Sequence, residues 1–206
     1  MPPSCDPRSL PGNPEPGATR PVHLVFISVG SNMGDKLACC QEGIAQVAAA
    51  PKTLLLAQSP FYRTAPVDFL DQDWFVNAAI KVATDLSPLD LLEQLQGIQR
   101  RAGRGADKIR FGPRPLDLDI LLYDDRVMDL PELTLPHPRM HKRHFVLKPL
   151  CDIDPKVLHP VLGQPVERQR LAGRFRVYRF CRIDRGSLRR RLGSTGRRHR
   201  PRPPAG

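Results

Sequence analysis

Asp117 and Asp119 stand inside a run of leucines and isoleucine, LDLDILLY. In a β-strand, residues two apart point to one face, about 6.6 Å apart along the chain. The two carboxylates would therefore share a face, with Leu116, Leu118 and Ile120 on the other. Carboxylates side by side repel, and they are costly to bury without partners. A hard divalent cation with oxygen ligands satisfies both, and Mg²⁺ commonly brings phosphates with it. The plainer alternative is an edge strand with a solvated acidic face.

The segment just upstream favours phosphate. Arg104, Lys108, Arg110 and Arg114 fall within eleven residues, beside Gly103, Gly105 and Gly112. Cations on a glycine-rich loop next to paired carboxylates suit a polyphosphate substrate, and the glycines suit a loop that closes over a reaction. Downstream, PHPRMHKRHF supplies His137, Arg143 and Phe145; upstream, WFVNAA supplies Phe75 and Asn77. An asparagine can donate to and accept from the amide edge of a heterocycle. Two phenylalanines can sandwich a flat ring, or simply pack in a core. No GxxxxGK[ST], GxGxxG or Ser-His-Asp pattern occurs, so phosphate binding here does not use a P-loop.

Periodicity supplies the elements that must position these groups. HLVFISVGSN reads as a strand from His23 to Val29, ended by Gly30. A helix follows, with Leu37, Cys40, Ile44 and Val47 on one face and Asp35 at its start. TLLLAQSPFYRT reads as a strand broken near Pro60, and WFVNAAIKVATD as a second strand. A helix from Ser87 has Pro88 in its first turn and Leu91, Leu92, Leu95 and Ile98 along one face. LDLDILLYD is the next strand, and RMHKRHFVLKPLCDI a short helix. The order β-α-β-β-α-β predicts an α+β, ferredoxin-like domain with an antiparallel sheet and both helices on one face, plus disordered tails.

Composition sets the boundaries. The chain has 206 residues and a formal charge of +11, but residues 1–171 hold 20 basic and 20 acidic side chains. The excess lies in residues 172–206, with twelve arginines against the single acid Asp184. A basic tail, rather than a basic body, argues against specific nucleic-acid recognition and allows non-specific anion binding. Residues 1–21 are rich in Pro and Gly, which predicts a disordered lead. The folded domain is placed at 22–171 and an unstructured Arg-rich tail at 172–206. The five cysteines lack metal-ligand spacing and read as structural thiols of a reduced, cytoplasmic protein. No apolar run has the length of a membrane span.

Together, RFGPRPLDLDILLY, GSNMGD, SPFYRTAP, FVNAA and LPHPRMHKRHFVLKPL resemble the 6-hydroxymethyl-7,8-dihydropterin pyrophosphokinases of folate biosynthesis, from about Val25 to about Pro160. The resemblance implies transfer of the β,γ-diphosphate of MgATP to the hydroxymethyl oxygen of the pterin, leaving AMP. It implies two Mg²⁺ ions on Asp117 and Asp119, and a pterin site of Thr64, Ala65, Val67, Phe75, Asn77 and Phe145. ATP contacts would come from Gln96, Arg104, Arg110, Phe111, Arg114, Ile120, Thr134, His137 and Arg143, with Arg104 and Arg114 also catalytic. A monofunctional monomer is expected, with ATP and the pterin as its partners. The chain departs from the family at Gln99, where an acid is common, at Ala106, where the loop often has arginine, at Phe111, where tryptophan occurs, and at Pro138, where tyrosine occurs. Lys108 is a candidate to supply the charge missing at Ala106. A nucleotidyltransferase using the same aspartates is the competing reaction class.

Overall fold

The computed structural model describes residues 22–66, 72–103, 113–172 and 181–183. The lead 1–21 and most of the basic tail lie outside the described residues. Strands β1 (His23–Ser31), β2 (Thr53–Gln58), β3 (Phe61–Thr64), β4 (Phe75–Thr84) and β5 (Asp117–Tyr123) alternate with helices α1 (Lys36–Ala48) and α2 (Pro88–Arg101) as the periodicity predicts. Every main-sheet neighbour is antiparallel: β3 and β2 lie on β4, β4 on β1, and β1 on β5. The domain is α+β.

Both helix starts follow from local chemistry. Asp35 caps α1, its Oδ1 accepting from Ala38 N at 3.0 Å. Ser87 caps α2, its Oγ accepting from Asp90 N at 3.2 Å, and Pro88 occupies the first position, where a missing N–H costs nothing. Both helices pack on one sheet face, where Cys40, Ile44, Val47, Leu91, Leu95 and Ile98 meet Val25, Ile27, Val29, Ile80, Leu118 and Ile120. Burying each large apolar side chain of this layer contributes about 1.5–3 kcal/mol. Cys40 belongs to it, with Sγ–H donating to Val76 O at 3.5 Å and burial pushing the thiol pKa up to about 12.

The opposite face is also apolar, and it has its own cover. Phe26, Leu121 and Leu122 pack under Val146, Leu147 and Leu150 of α3 (His144–Ile153), with Met140 from a single 3-10 turn (Met140–Lys142). The two-sided hydrophobicity of VFISV on β1 carried this signal, since a strand solvated on one face would alternate. A bulge lies behind the two consecutive leucines: β1 Phe26 pairs with Leu122 while Ile27 pairs with Ile120. Leu121 is the extra residue, and it joins Leu122 in the α3 layer.

Short elements complete the domain: the ladders β6 (Met128–Asp129) with β7 (Thr134–Leu135) and β8 (Leu158–His159) with β9 (Gln164–Pro165), then helix α4 (Val166–Ala172). Strand β10 (Cys181–Ile183) pairs with β3 at Arg63, Tyr62 and Phe61. The tail expected to be unstructured thus contributes one edge strand, because β3 presents unpaired backbone groups there.

Candidate active site

The site is laid out by strand register. Gly30 of β1 pairs with Asn77 on one side and Asp117 on the other; Ser28 pairs with Ala79 and Asp119. One cross-strand row therefore reads Asn77–Gly30–Asp117. Two interstrand spacings of about 4.8 Å put the amide and the carboxylate about 10 Å apart. Gly30 does not end β1, as its residue type predicts, but lies within it. A Cβ there would sit 3.0 Å from Asn77 Oδ1, so glycine keeps the middle of the row open.

On this row stands a cavity of about 200 Å³. That is small against the roughly 300–1,000 Å³ of drug-sized sites, and it suits one small flat heterocycle. Ser28, Gly30, Phe75, Asn77, Asp117, Asp119 and Leu121 form its sheet floor; Thr64, Ala65 and Gln72 form one wall. His137, Arg139, Arg143, Phe145 and Val146 form the other, and Arg114 stands over the carboxylates.

Each side chain is held by something specific. Asn77 is 5% exposed, and its Nδ2 donates to Thr64 Oγ1 at 2.7 Å. Its Oδ1 and second N–H stay available to a ligand edge. Phe145 is in the first turn of α3, where Pro149 lacks the N–H that would bond the Phe145 carbonyl. The Arg143 guanidinium lies 5.4 Å from the Phe145 ring centroid. His137 is pinned by its backbone N–H donating to Leu121 O at 2.9 Å, so the β5 bulge also sets its place.

Burial, with Arg143 and Arg139 nearby, pushes the His137 pKa down to about 4. Arg139 N donates to His137 Nδ1 at 3.2 Å. The ring is therefore neutral at pH 7, with the proton on Nε2, a hydrogen-bond donor for an anionic oxygen. Arg114 Nη1 donates to Asp117 Oδ1 at 2.9 Å.

Among the described residues no three His, Cys, Asp or Glu side chains cluster as metal ligands. The aspartate pair alone would leave most of a cation's coordination shell to waters and substrate. That fits Mg²⁺, which binds through one or two carboxylates plus phosphates, and it fits a zinc-type site poorly.

Ten residues expected at a substrate site come together here: Thr64, Ala65, Phe75, Asn77, Arg114, Asp117, Asp119, His137, Arg143 and Phe145. Three do not line the cavity. Ile120 is 3% exposed on the helix side of β5 and serves the core. Gln96 is on the solvent side of α2. Thr134 is in β7, its Oγ1 donating to Asp129 Oδ1 at 3.2 Å. Val67, Arg104, Ala106, Lys108, Arg110 and Phe111 lie outside the described residues. Gln99 is buried beneath the carboxylate strand, its Nε2 donating to Leu118 O at 3.4 Å, and Pro138 is exposed. Ser28, Gln72, Arg139 and Val146 line the cavity without having been singled out by sequence. Arg139 lies in the quoted PHPRMHKRHF, and its charge was the available signal.

An antiparallel α+β domain with paired carboxylates, a basic rim and a small slot for a flat ring has the make-up of a small-molecule phosphotransferase. The model of the family 7,8-dihydro-6-hydroxymethylpterin-pyrophosphokinase matches residues 26–155. The chain is 42% identical over 139 residues to the 2-amino-4-hydroxy-6-hydroxymethyldihydropteridine pyrophosphokinase of Pseudomonas aeruginosa, covering 68% of this chain and 85% of that protein. It is 40% identical over 147 residues to the enzyme of the same name from Methylorubrum extorquens, covering 71% and 90%. This chain belongs to the hydroxymethylpterin pyrophosphokinase family. A crystal structure of wild-type Plasmodium falciparum HPPK-DHPS with pterin and p-hydroxybenzoate shares the fold, with a TM-score of 0.59 and 14% identity over 75% of this chain. The match spans 43% of that longer chain.

Proposed function

We infer that this chain transfers diphosphate from ATP to the hydroxymethyl group of 6-hydroxymethyl-7,8-dihydropterin, giving AMP and the pterin diphosphate, in folate biosynthesis. The observation that carries this is the row Asn77–Gly30–Asp117, which sets a heterocycle reader and a phosphate-side carboxylate on opposite sides of one open slot. The strand order and the two helices on one face support a ferredoxin-like arrangement over residues 22–171, with α3 added on the second face.

In this reading the pterin lies between Phe75 and Phe145, its pyrimidine edge on Asn77, with Thr64, Ala65 and Val67 closing the pocket. Asp117 and Asp119 would hold two Mg²⁺ together with the phosphates of ATP, and the ions would supply neutralisation of phosphate charge and a lower pKa for the hydroxymethyl group. Arg114 gives up part of its contact with Asp117 to neutralise phosphate charge as it moves to the acceptor. Neutral His137 donates from Nε2 to a phosphate oxygen, and Arg143 supplies charge beside the ring. By resemblance Arg104, Arg110 and Phe111 also serve ATP, Gln96 its phosphates, and Ile120 and Thr134 the adenosine, although the Gln96, Ile120 and Thr134 side chains lie off this cavity. The residues thus bind, orient and neutralise, as phosphoryl transfer requires. No described helix is long and apolar enough to cross a membrane. A cytoplasmic monomer without specific nucleic-acid binding completes the reading.

The test is product identity. Purified protein with ATP, Mg²⁺ and the hydroxymethyl dihydropterin should form AMP, dependent on the pterin. ADP as product would overturn the assignment, and an adenylated pterin would make the chain a nucleotidyltransferase.

A further inference from the structure

Asn32, in the loop after β1, has no place in the reaction described above, yet its hydrogen bonds reach two residues that line the cavity, Arg114 and Gln72. It is 4% exposed. Its Oδ1 accepts from Arg114 N at 2.7 Å, and its own N–H donates to Arg114 O at 3.2 Å. The peptide groups of Arg114 are thereby gripped at both ends by one residue. Its Nδ2 donates to Gln72 Oε1 at 2.9 Å, and Gln72 lines the opposite wall. Arg114 in turn places Nη1 on Asp117 Oδ1 at 2.9 Å.

We propose that Asn32 is a positioning residue that fixes Arg114 over the carboxylate pair and, through Gln72, ties the wall on the far side of the slot to the same point. An alanine cannot make either side-chain bond. Arg114 N–H, then facing an apolar methyl, would seek another partner, and its guanidinium would leave the place from which it reaches both Asp117 and a phosphate. A displacement of about 1 Å in a positioned catalytic group is enough to cost on the order of 100-fold in rate. The proposal rests on the reading of Arg114 as a phosphate contact.

A mere loop staple would also lower stability when removed, so the decisive measurement is a cycle. kcat/KM for ATP is measured by AMP formation for wild type, Asn32→Ala, Arg114→Ala and the double variant, with melting temperatures alongside. We expect Asn32→Ala to lose about 10–100-fold, and to lose less than about twofold more once Arg114 is alanine, because residues that act as a unit are not additive. Should Asn32→Ala fail to fold, Asn32→Ser, whose hydroxyl is too short for both partners, carries the same cycle. Equal losses in the two backgrounds, or wild-type activity in the Asn32 variant, would overturn the role of Asn32. Wild-type activity in Arg114→Ala would instead remove the reading of Arg114, and this proposal with it.

Discussion

Gly30→Ala is the smallest change that probes how the slot is built. Gly30 does not have a left-handed backbone, so alanine meets no conformational strain there. The new methyl would sit 3.0 Å from Asn77 Oδ1. Ordinary contact begins near 3.5 Å, so Asn77 must retreat by about 0.5 Å or swing away. It is held by the 2.7 Å bond to Thr64 Oγ1 and by burial, and overpacking of this kind costs about 1–3 kcal/mol. Because the displaced group is the proposed reader of the pterin edge, most of that cost falls on pterin binding. At 1.4 kcal/mol per factor of ten, the KM for pterin should rise about 10–100-fold while that for ATP changes less than about twofold. Steady-state kinetics with each substrate varied, beside a thermal melt, decides it. An unchanged pterin KM, or an equal loss for ATP, would refute the row as the pterin site.

Two further outcomes follow from the same geometry. Tyr62, 5% exposed, donates to Asp152, which also pairs with Lys148; Tyr62→Phe should lower urea stability by about 1–2 kcal/mol with kcat unchanged, and a loss of kcat would show that this anchor of α3 reaches the site. The His137 pKa is lowered from 6.5 to about 4 by burial and by Arg143 and Arg139. Between those values the unfolded chain binds a proton the folded chain refuses, so stability falls as pH drops from about 6.5 towards 4. His141, His144 and His159 are also lowered, chiefly by burial, so His137→Gln should flatten only part of the fall in urea stability between pH 7 and 5; an unchanged slope would contradict the burial of this ring.

Much of this arrangement was legible from residue order. The same-face pairing of Asp117 and Asp119 followed from period two, the start of α2 from Ser87 and Pro88, and the β2–β3 break from Pro60. Other features escaped because their causes are non-local. Gly30 reads as a strand terminator until Asn77 is known to lie across from it. The extra residue Leu121 shows only in the register with β1. The two-residue ladders β6–β7 and β8–β9 are too short for any periodicity, and β10 is a strand only because β3 offers it an edge. Asn32 stood inside the GSNMGD motif, but its partners Gln72 and Arg114 are 40 and 82 residues away, and no local pattern joins them.

In the proposed reaction Asp117 and Asp119, at one end of the slot floor, serve the transfer, while Asn77 and the phenylalanines hold the pterin. The most direct measurement is AMP formation by Asp119→Ala, paired with pterin binding to the same protein. Turnover should fall by at least about 1,000-fold with pterin affinity within about twofold of wild type. Turnover within about tenfold of wild type would contradict this role of the aspartates.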